Sequence, residues 1–303
     1  MSQEQKAAVE AILREVPLDA TGDLEVQRPL FEEFMRQVQL PDDITLTEGT
    51  LNGVSILEVT PPEADDDARI LFFHGGVFAL GSARASAALA ALLGRQARAT
   101  VVSVDYRLAP EQPYPAAPDD ALAAYRGLLD SGVAPAGVAF FGESAGGALA
   151  LGTLVAARDA GLPQPAAAVL YSPWVDLTMS GDSMQSKAGL DLALARDGLQ
   201  LRVADYAGAA DAASPAMSPL FADLSGIAPL LIQVGSYEVL LDDATRLAAA
   251  AAAADVDVQL DVTSGVQHVF QAYSGLLDES DAAVARTAAF LHAHLLVSDR
   301  QTT

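Results

Sequence analysis

The sequence contains no cysteine. This absence excludes disulfides, cysteine nucleophiles and cysteine metal ligands, although it leaves the redox compartment open. Basic residues are also scarce, with 17 Lys plus Arg against 40 Asp plus Glu and a formal net charge of −23. Only Lys6 and Lys187 are lysines. The resulting negative field disfavours nucleic acids, anionic membranes and polyanionic substrates as partners, and it favours a neutral small molecule.

Long apolar runs are missing as well. No uninterrupted run reaches the roughly 18 residues that a membrane-spanning helix needs. The first ten residues, MSQEQKAAVE, are too polar for a secretory signal peptide. We therefore expect a cytoplasmic protein with no membrane partner.

Short apolar runs alternate with helix-length segments along most of the 303 residues. Two early strands flank the turn dipeptide Asn52-Gly53, which predicts an antiparallel start. The later runs suit strands buried on both faces, so the alternation predicts a mostly parallel sheet flanked by helices, with function at the carboxyl ends of its strands. The predicted strands are 44–46, 54–59, 69–73, 99–105, 137–141, 167–171, 229–234 and 256–262. The predicted helices between them are 86–97, 118–129, 145–160 and 242–254.

Two parts of the chain depart from this alternation. Residues 3–15 and 28–39 have the apolar spacing of amphipathic helices and precede every strand. Residues 180–213 form a long insertion between two strands. The sequence predicts that 1–40 is an N-terminal helical cap region and that 41–303 is the main α/β domain, with a second cap insertion at about 180–213.

The sharpest local motif is Gly142-Glu143-Ser144-Ala145-Gly146. It follows the predicted strand 137–141 and opens the predicted helix 145–160, which is the context of a nucleophile elbow. The tight turn projects the serine hydroxyl away from the sheet, and the helix N-terminus favours developing negative charge. The motif therefore indicates Ser144 as a nucleophile.

A second glycine motif, His74-Gly75-Gly76, follows the predicted strand 69–73. Consecutive glycines leave backbone N–H groups uncovered, as an oxyanion hole requires. Taken alone, the motif is better explained as a plain tight turn with a structural histidine.

A serine nucleophile needs a base, and a neutral imidazole is the usual one near neutral pH. His268 lies just after the last predicted strand, where a loop can bring its ring to Ser144. The other three histidines fit less well, because His292 and His294 lie on a predicted C-terminal helix and His74 belongs to the glycine turn. Position and elimination therefore favour His268.

The third member of such a triad is a carboxylate that follows a strand between the serine and the histidine. Glu238 fits this position after the strand 229–234. Asp242 and Asp243 are rivals that are better explained as caps of the next helix. Asp176 is a weaker rival because it follows an earlier strand.

Together these residues resemble the hormone-sensitive-lipase-like family of bacterial α/β-hydrolase esterases. The resemblance runs from about Leu71 to Phe270 and rests on five motifs in order: His74-Gly75-Gly76, Asp105-Tyr106-Arg107-Leu108-Ala109-Pro110-Glu111, Gly142-Glu143-Ser144-Ala145-Gly146-Gly147, Gly235-Ser236-Tyr237-Glu238-Val239-Leu240-Leu241-Asp242-Asp243 and His268-Val269-Phe270. It implies an α/β-hydrolase fold with an eight-stranded sheet and a helical cap. It also implies ester hydrolysis without a metal or other cofactor, and a homodimer.

The sequence departs from the family pattern at two positions. Glu238 stands where the family often has aspartate, and a glutamate can still accept the imidazole N–H. Val77 stands where the family usually has a third glycine. In similar enzymes the turn with three glycines is associated with the acceptance of esters of bulky tertiary alcohols. Val77 is therefore expected to narrow the alcohol side of the site. With this departure, the oxyanion donors are assigned to the N–H groups of Gly75, Gly76 and Ala145.

Two charged residues in these motifs are interpreted as structural. Arg107 is expected to pair with a carboxylate in a rigid turn. Glu143, beside the nucleophile, is expected to point away from Ser144.

The resulting hypothesis is a serine carboxylesterase for small, uncharged esters with short to medium acyl chains. Ser144 attacks the carbonyl, His268 transfers the proton to the leaving alcohol, and Glu238 orients the imidazole. One alternative keeps the triad but takes amides, lactones or acetylated sugars. Another alternative is a ligand-binding receptor. Plant gibberellin receptors resemble this fold but have lost the triad histidine, whereas His268 is present here, so a receptor is disfavoured.

Overall fold

A computed structural model of the protein describes residues 3–15 and 19–295. The predicted regions 1–40 and 41–303 therefore extend beyond the described residues at 1–2, 16–18 and 296–303. Within the described part of the chain, no helix is long and apolar enough to cross a membrane.

All eight predicted strands are present, and they form one sheet. The strands are β1 (Thr45–Leu51), β2 (Val54–Thr60), β3 (Asp65–Phe73), β4 (Ala99–Val104), β5 (Val138–Glu143), β6 (Ala167–Tyr171), β7 (Leu230–Gly235) and β8 (Val258–Thr263). Their order in the sheet is β1-β2-β4-β3-β5-β6-β7-β8. β2 runs antiparallel to both of its neighbours, and the other pairings are parallel. The carboxyl ends of the parallel strands therefore meet along one edge of the sheet.

The predicted hairpin between β1 and β2 is confirmed. Leu51 pairs with Val54 in the register, so the connection contains two residues. Asn52 and Gly53 have φ values of 46° and 85°, the left-handed backbone that such a turn requires and that these residue types tolerate.

The sheet is covered on both faces. Leu71 and Phe73 of β3 belong to one apolar cluster, and Ile70 and Phe72 to the other, because successive side chains of a strand point to opposite faces. The strands β4 to β7 are buried along their whole length.

β8 differs from the other parallel strands because it is the last strand of the sheet. Its side chains are largely exposed, including Leu260 at 39% and Val262 at 46% of their surface. Full burial therefore does not extend to β8, since an edge strand has a neighbour on one side only.

The helices follow the predicted alternation. They are α1 (Gln3–Glu15), α2 (Leu24–Arg36), α3 (Ala87–Ala97), α4 (Ala116–Asp130), α5 (Ala145–Asp159), α6 (Ser183–Ser186), α7 (Arg196–Ala207), α8 (Leu241–Ala253) and α9 (Asp278–His294). The helix predicted at 28–39 begins at Leu24 and ends at Arg36, so both of its predicted ends were too far along the chain. It begins at Leu24 because the Asp23 side chain accepts the N–H of Glu25 at 2.9 Å and caps the helix there. The cap adds an extra turn to α2.

α1 packs against the other end of the chain. Val9 belongs to a small apolar cluster with Val266, Phe270, Leu277 and Ala283. This cluster is separate from the two that cover the sheet. α1 therefore contacts residues on both sides of His268 in sequence.

The insertion 180–213 contains α6 and α7 and packs on the N-terminal segment. A Cβ atom on Gly198 of α7 would lie 2.5 Å from the Cβ of Ala20, so only glycine permits this contact. The ring of Tyr206, at the other end of α7, stacks on Phe78 with a centroid distance of 4.0 Å. The insertion thus contacts both the N-terminal segment and the segment that follows the His74 turn.

Candidate active site

Ser144 occupies a strained turn between β5 and α5. Its φ of 54° and ψ of −121° lie outside the regions that a residue with a Cβ ordinarily adopts. The flanking glycines permit the turn: a Cβ on Gly142 would lie 2.1 Å from the carbonyl oxygen of Gly146, and a Cβ on Gly146 would lie 1.9 Å from that of Phe73. The predicted strand-turn-helix context of Ser144 is confirmed.

Glu238 and His268 form a hydrogen-bonded pair beyond the ends of β7 and β8. Nδ1 of His268 lies 2.8 Å from Oε2 of Glu238, whose side chain is fully buried. Burial alone would lower the pKa of His268, but the bond to Glu238 and its negative charge hold that pKa above 6.5. The pair therefore has the arrangement of an oriented base.

Ser172 connects this pair to the elbow. Its hydroxyl donates to Oε1 of Glu238 at 2.7 Å and accepts the N–H of Val269 at 3.1 Å. The neighbouring residue in sequence, Tyr171, accepts the N–H of Ser144 at 2.9 Å. Ser172 thus lies between the residues that hold Ser144, Glu238 and His268.

Sequence reasoning missed Ser172. It belongs to no motif with chemistry of its own, and its only signal is its position directly after β6. A polar residue at the carboxyl end of a buried strand, between two strands that carry candidate triad residues, was the available clue.

The hydroxyl of Ser144 is not hydrogen-bonded to His268 in the described part of the chain. His268 uses Nδ1 for Glu238, so Nε2 is the nitrogen that remains for the serine. Bonds of this kind are often long until substrate is bound.

One expected oxyanion donor of the His74-Gly75-Gly76 turn, the N–H of Gly75, is bonded to a side chain. The N–H of Gly75 donates to Oε1 of Glu143 at 3.0 Å. In this geometry the Gly75 N–H already has an acceptor, so its assignment as a donor to the oxyanion stays a prediction that the structure does not support. The Glu143 carboxylate is accordingly a structural acceptor, and sequence reasoning missed its partner 68 residues away.

Three other N–H groups, in the glycine turn and the elbow, remain open. Those of Gly76, Val77 and Ala145 donate to no acceptor among the described residues. The N–H of Ala145 is open because it lies in the first turn of α5, where helices have unsatisfied donors. Gly76 has φ of 114°, and a Cβ there would lie 2.2 Å from the carbonyl oxygen of Leu80. Only glycine fits at this point of the turn.

His74 has a structural role. Its ring stacks on Tyr106 at a centroid distance of 4.2 Å, and its Nδ1 lies 2.7 Å from the Gly75 carbonyl oxygen. Burial lowers the pKa of His74, so the ring is neutral. His292 and His294 lie on α9, as predicted. None of these three contacts Glu238 in the described part of the chain.

The rival carboxylates have other partners. Asp242 accepts the N–H of Ser183 at 2.8 Å. Asp243 accepts the N–H groups of Val175 and Asp176, each at 2.8 Å. Asp176 itself pairs with Arg246 at 2.8 Å. These bonds leave Glu238 as the carboxylate that His268 contacts.

Two arginines fix the segment between β4 and α4. Arg107 pairs with Asp120 at 2.7 Å, which confirms its predicted carboxylate partner. Arg28 of α2 pairs with Glu111 at 2.6 Å and donates to the Ala79 carbonyl oxygen at 2.9 Å. α2 is thereby joined to the segment that follows the glycine turn.

Comparison with known proteins identifies the family of the chain. A family model described as the alpha/beta hydrolase fold matches residues 70–272. The chain is 43% identical to an acetyl-hydrolase of Streptomyces hygroscopicus over 89% of this chain and 90% of that protein. It is 34% identical to an esterase of Acinetobacter venetianus over 87% of each.

A crystal structure of an esterase from the bacterial hormone-sensitive lipase family superposes with a TM-score of 0.94 at 38% identity. The match covers 98% of this chain and all of that one. The chain therefore belongs to the α/β-hydrolase fold family and, within it, to the hormone-sensitive-lipase-like esterases, which hydrolyse carboxylic esters.

Proposed function

We propose that the chain hydrolyses esters with Ser144 as nucleophile, His268 as base and Glu238 as the acid that orients the imidazole. The observation that carries this proposal is the 2.8 Å bond between His268 Nδ1 and Glu238 Oε2. The bonds of Ser172 and Tyr171 support it, because they link that pair to the elbow of Ser144.

In the first half of the reaction, Oγ of Ser144 attacks the ester carbonyl carbon while Nε2 of His268 takes the hydroxyl proton. The carbonyl π electrons move to oxygen, and the tetrahedral oxyanion accepts hydrogen bonds from the N–H groups of Gly76, Val77 and Ala145. When the intermediate collapses, the imidazolium returns the proton to the leaving alcohol. Water then attacks the acyl-enzyme by the same sequence of transfers.

The preferred substrates are small, uncharged esters with short to medium acyl chains. The net charge of −23 disfavours anionic substrates. The relative of Streptomyces hygroscopicus is called an acetyl-hydrolase, which supports a short acyl group. Acetylated sugars, amides and lactones are alternatives that a substrate panel would separate.

We propose that α1, α2 and the insertion 180–213 form a cap over the site. The stacking of Tyr206 on Phe78 and the bond from Arg28 to Ala79 support it, because both reach the segment that follows the glycine turn.

We also propose a homodimer, with the open edge of β8 as one candidate contact; sedimentation equilibrium would test it. The cytoplasmic location stays a prediction, for which cell fractionation is the test.

Hydrolysis of p-nitrophenyl acetate, butyrate and octanoate by wild type and Ser144→Ala tests the proposed mechanism. We expect a loss in kcat on the order of 10⁴-fold or more in the variant. The exposed Ser131→Ala is the matched control and should retain full activity. Full activity in a folded Ser144→Ala protein would overturn the assignment of the nucleophile.

A second measurement identifies the nucleophile without a rate. Diethyl p-nitrophenyl phosphate transfers its phosphoryl group to an activated serine with release of p-nitrophenol. We expect the added mass on the peptide that contains Ser144, and none in Ser144→Ala.

A further inference from the structure

The insertion 180–213 meets the triad at one buried carboxylate. Asp191 is 6% exposed. Its Oδ2 accepts, at 2.9 Å, the N–H of Val239, which is the residue directly after the proposed triad acid. Its Oδ1 accepts the N–H groups of Ala193 and Leu194, each at 2.9 Å. One side chain therefore shapes a turn of the insertion and attaches that turn to the loop of Glu238.

The same turn is attached to the loop of the proposed base. Gln267 precedes His268 and is 4% exposed. Its Oε1 accepts the N–H of Leu192 at 2.9 Å, and its Nε2 donates to the Leu190 carbonyl oxygen at 3.1 Å. The backbone on both sides of Asp191 is thus bonded to the side chain next to His268.

These contacts go beyond what packing requires. An apolar pair at the two positions would fill the space without fixing a direction, whereas buried polar groups demand partners in a defined geometry. All four side-chain oxygen and nitrogen atoms of Asp191 and Gln267 have such partners.

The two triad loops also contact each other directly. The N–H of Tyr237 donates to the Val266 carbonyl oxygen at 3.3 Å. The turn 190–194 of the insertion therefore bonds to a unit that already holds the acid and the base together.

We propose that Asp191 is a positioning residue for catalysis, which with Gln267 fixes the loops of the triad acid and base on the turn 190–194 of the insertion. The inference rests on the proposed triad and extends it. The insertion then contributes to the geometry of the reaction as well as covering the site.

The charge of Asp191 makes the pKa of His268 a readout of the proposed role, because the loss of a purely structural contact would not shift that pKa. Three carboxylates act on the imidazole of His268 and raise its pKa: Glu238, which is bonded to it, then Asp191 and Glu143. Asp191→Asn removes one of these charges and keeps the size of the side chain. The acid limb of the kcat/KM profile reports the pKa of the base in the free enzyme.

We expect Asp191→Asn to lower kcat for p-nitrophenyl acetate at least about tenfold with little change in KM, because a small misplacement of the base is costly. Its acid limb should move to lower pH. Gln267→Glu also disturbs the turn but adds a negative charge next to His268, so its acid limb should move to higher pH. The opposite shifts separate an effect on the base from general damage.

Asp197→Asn is the matched control, since Asp197 is an exposed acid in the first turn of α7 of the same insertion. It should keep the wild-type kcat within about twofold and leave the acid limb unchanged. Circular dichroism and thermal unfolding establish that each variant is folded.

A folded Asp191→Asn protein with the wild-type kcat and acid limb would overturn the inference. If that variant does not fold, Gln267→Met decides, because it removes both amide bonds at nearly constant volume without changing charge. A several-fold loss of kcat in Gln267→Met at unchanged KM supports the inference, and full activity overturns it. Ser144→Ala separates the two proposals: an inactive Ser144→Ala beside fully active Asp191 and Gln267 variants rejects the inference alone.

Discussion

The carboxylate of Glu143 connects the nucleophile elbow to the glycine turn, because its Oε1 accepts the N–H of Gly75 at 3.0 Å. Glu143 is 6% exposed, and burial raises its pKa. The residue before the proposed nucleophile therefore supports the turn that carries two of the proposed oxyanion donors.

Glu143→Ala leaves the Gly75 N–H without its acceptor. We expect the free energy of unfolding to fall by about 1–3 kcal/mol, the usual effect of an unsatisfied buried donor. We also expect kcat to fall, because the glycine turn loses its support. Glu143→Gln keeps an acceptor oxygen and should lose much less of both. Urea unfolding and ester hydrolysis measure these effects, and equal losses in the two variants would contradict the prediction.

Ser172→Ala should reduce kcat by about tenfold or more. The hydroxyl bonds both Oε1 of Glu238 and the N–H of Val269. Its loss leaves the buried N–H of Val269 without an acceptor, and it leaves the N–H of Gly235 as the remaining donor to Oε1, beside the proposed base. Ser103→Ala is the control, since the Ser103 hydroxyl is buried and has no hydrogen-bond partner in the described part of the chain. Steady-state rates that do not distinguish the two variants would show that Ser172 has no positioning role.

Asp243 should make the stability depend on pH. Burial raises its pKa from 3.8 to about 8. Between these values the folded chain binds more protons than the unfolded chain, so the free energy of unfolding falls as the pH rises. The slope from one group is up to about 1.4 kcal/mol per pH unit, and this group adds none above the folded pKa.

Asp243→Asn removes this slope and keeps a carbonyl oxygen for the N–H groups of Val175 and Asp176. Urea unfolding at pH 5, 6, 7 and 8 should give a flatter profile than that of wild type. The exposed Asp255→Asn should retain the wild-type slope. An unchanged slope in Asp243→Asn would assign the pH dependence to other groups.

Val77→Gly tests the alcohol side of the site. Val77 has φ of 52°, a backbone conformation that is unfavourable for a β-branched residue. Glycine adopts this conformation without strain and removes the side chain from the turn. We expect the rate for tert-butyl acetate relative to ethyl acetate to rise roughly tenfold, the scale of one or two methyl groups in a pocket. Val77→Ala should be intermediate, and a constant ratio across the three proteins would contradict the prediction.

The sequence was sufficient for the fold because the fold depends on local patterns. Apolar runs, turn dipeptides and helix-length segments occur in an order that only a few topologies satisfy. The edge position of β8 was not visible, since the exposure of a strand depends on its neighbours in space. The earlier start of α2 was missed because it depends on the Asp23 cap, a bond from side chain to backbone that apolar spacing does not report.

The site likewise contains residues that local patterns predict and contacts that they do not. Ser144, Glu238 and His268 follow strands and belong to motifs, so their positions were predictable. The use of the Gly75 N–H by Glu143 was not, because it is a contact between two separate loops. The roles proposed for Ser172 and Asp191 depend on contacts with other residues, and such contacts leave no local pattern in one sequence.

The small cluster around Val9 also relates the structure to the order of synthesis. Its other members, Val266, Phe270, Leu277 and Ala283, lie more than 250 residues further along the chain. Because the chain is synthesised in sequence order, α1 is made well before the residues that cover its apolar face. We therefore expect α1 to reach its final position late, after the residues on both sides of His268 have been synthesised.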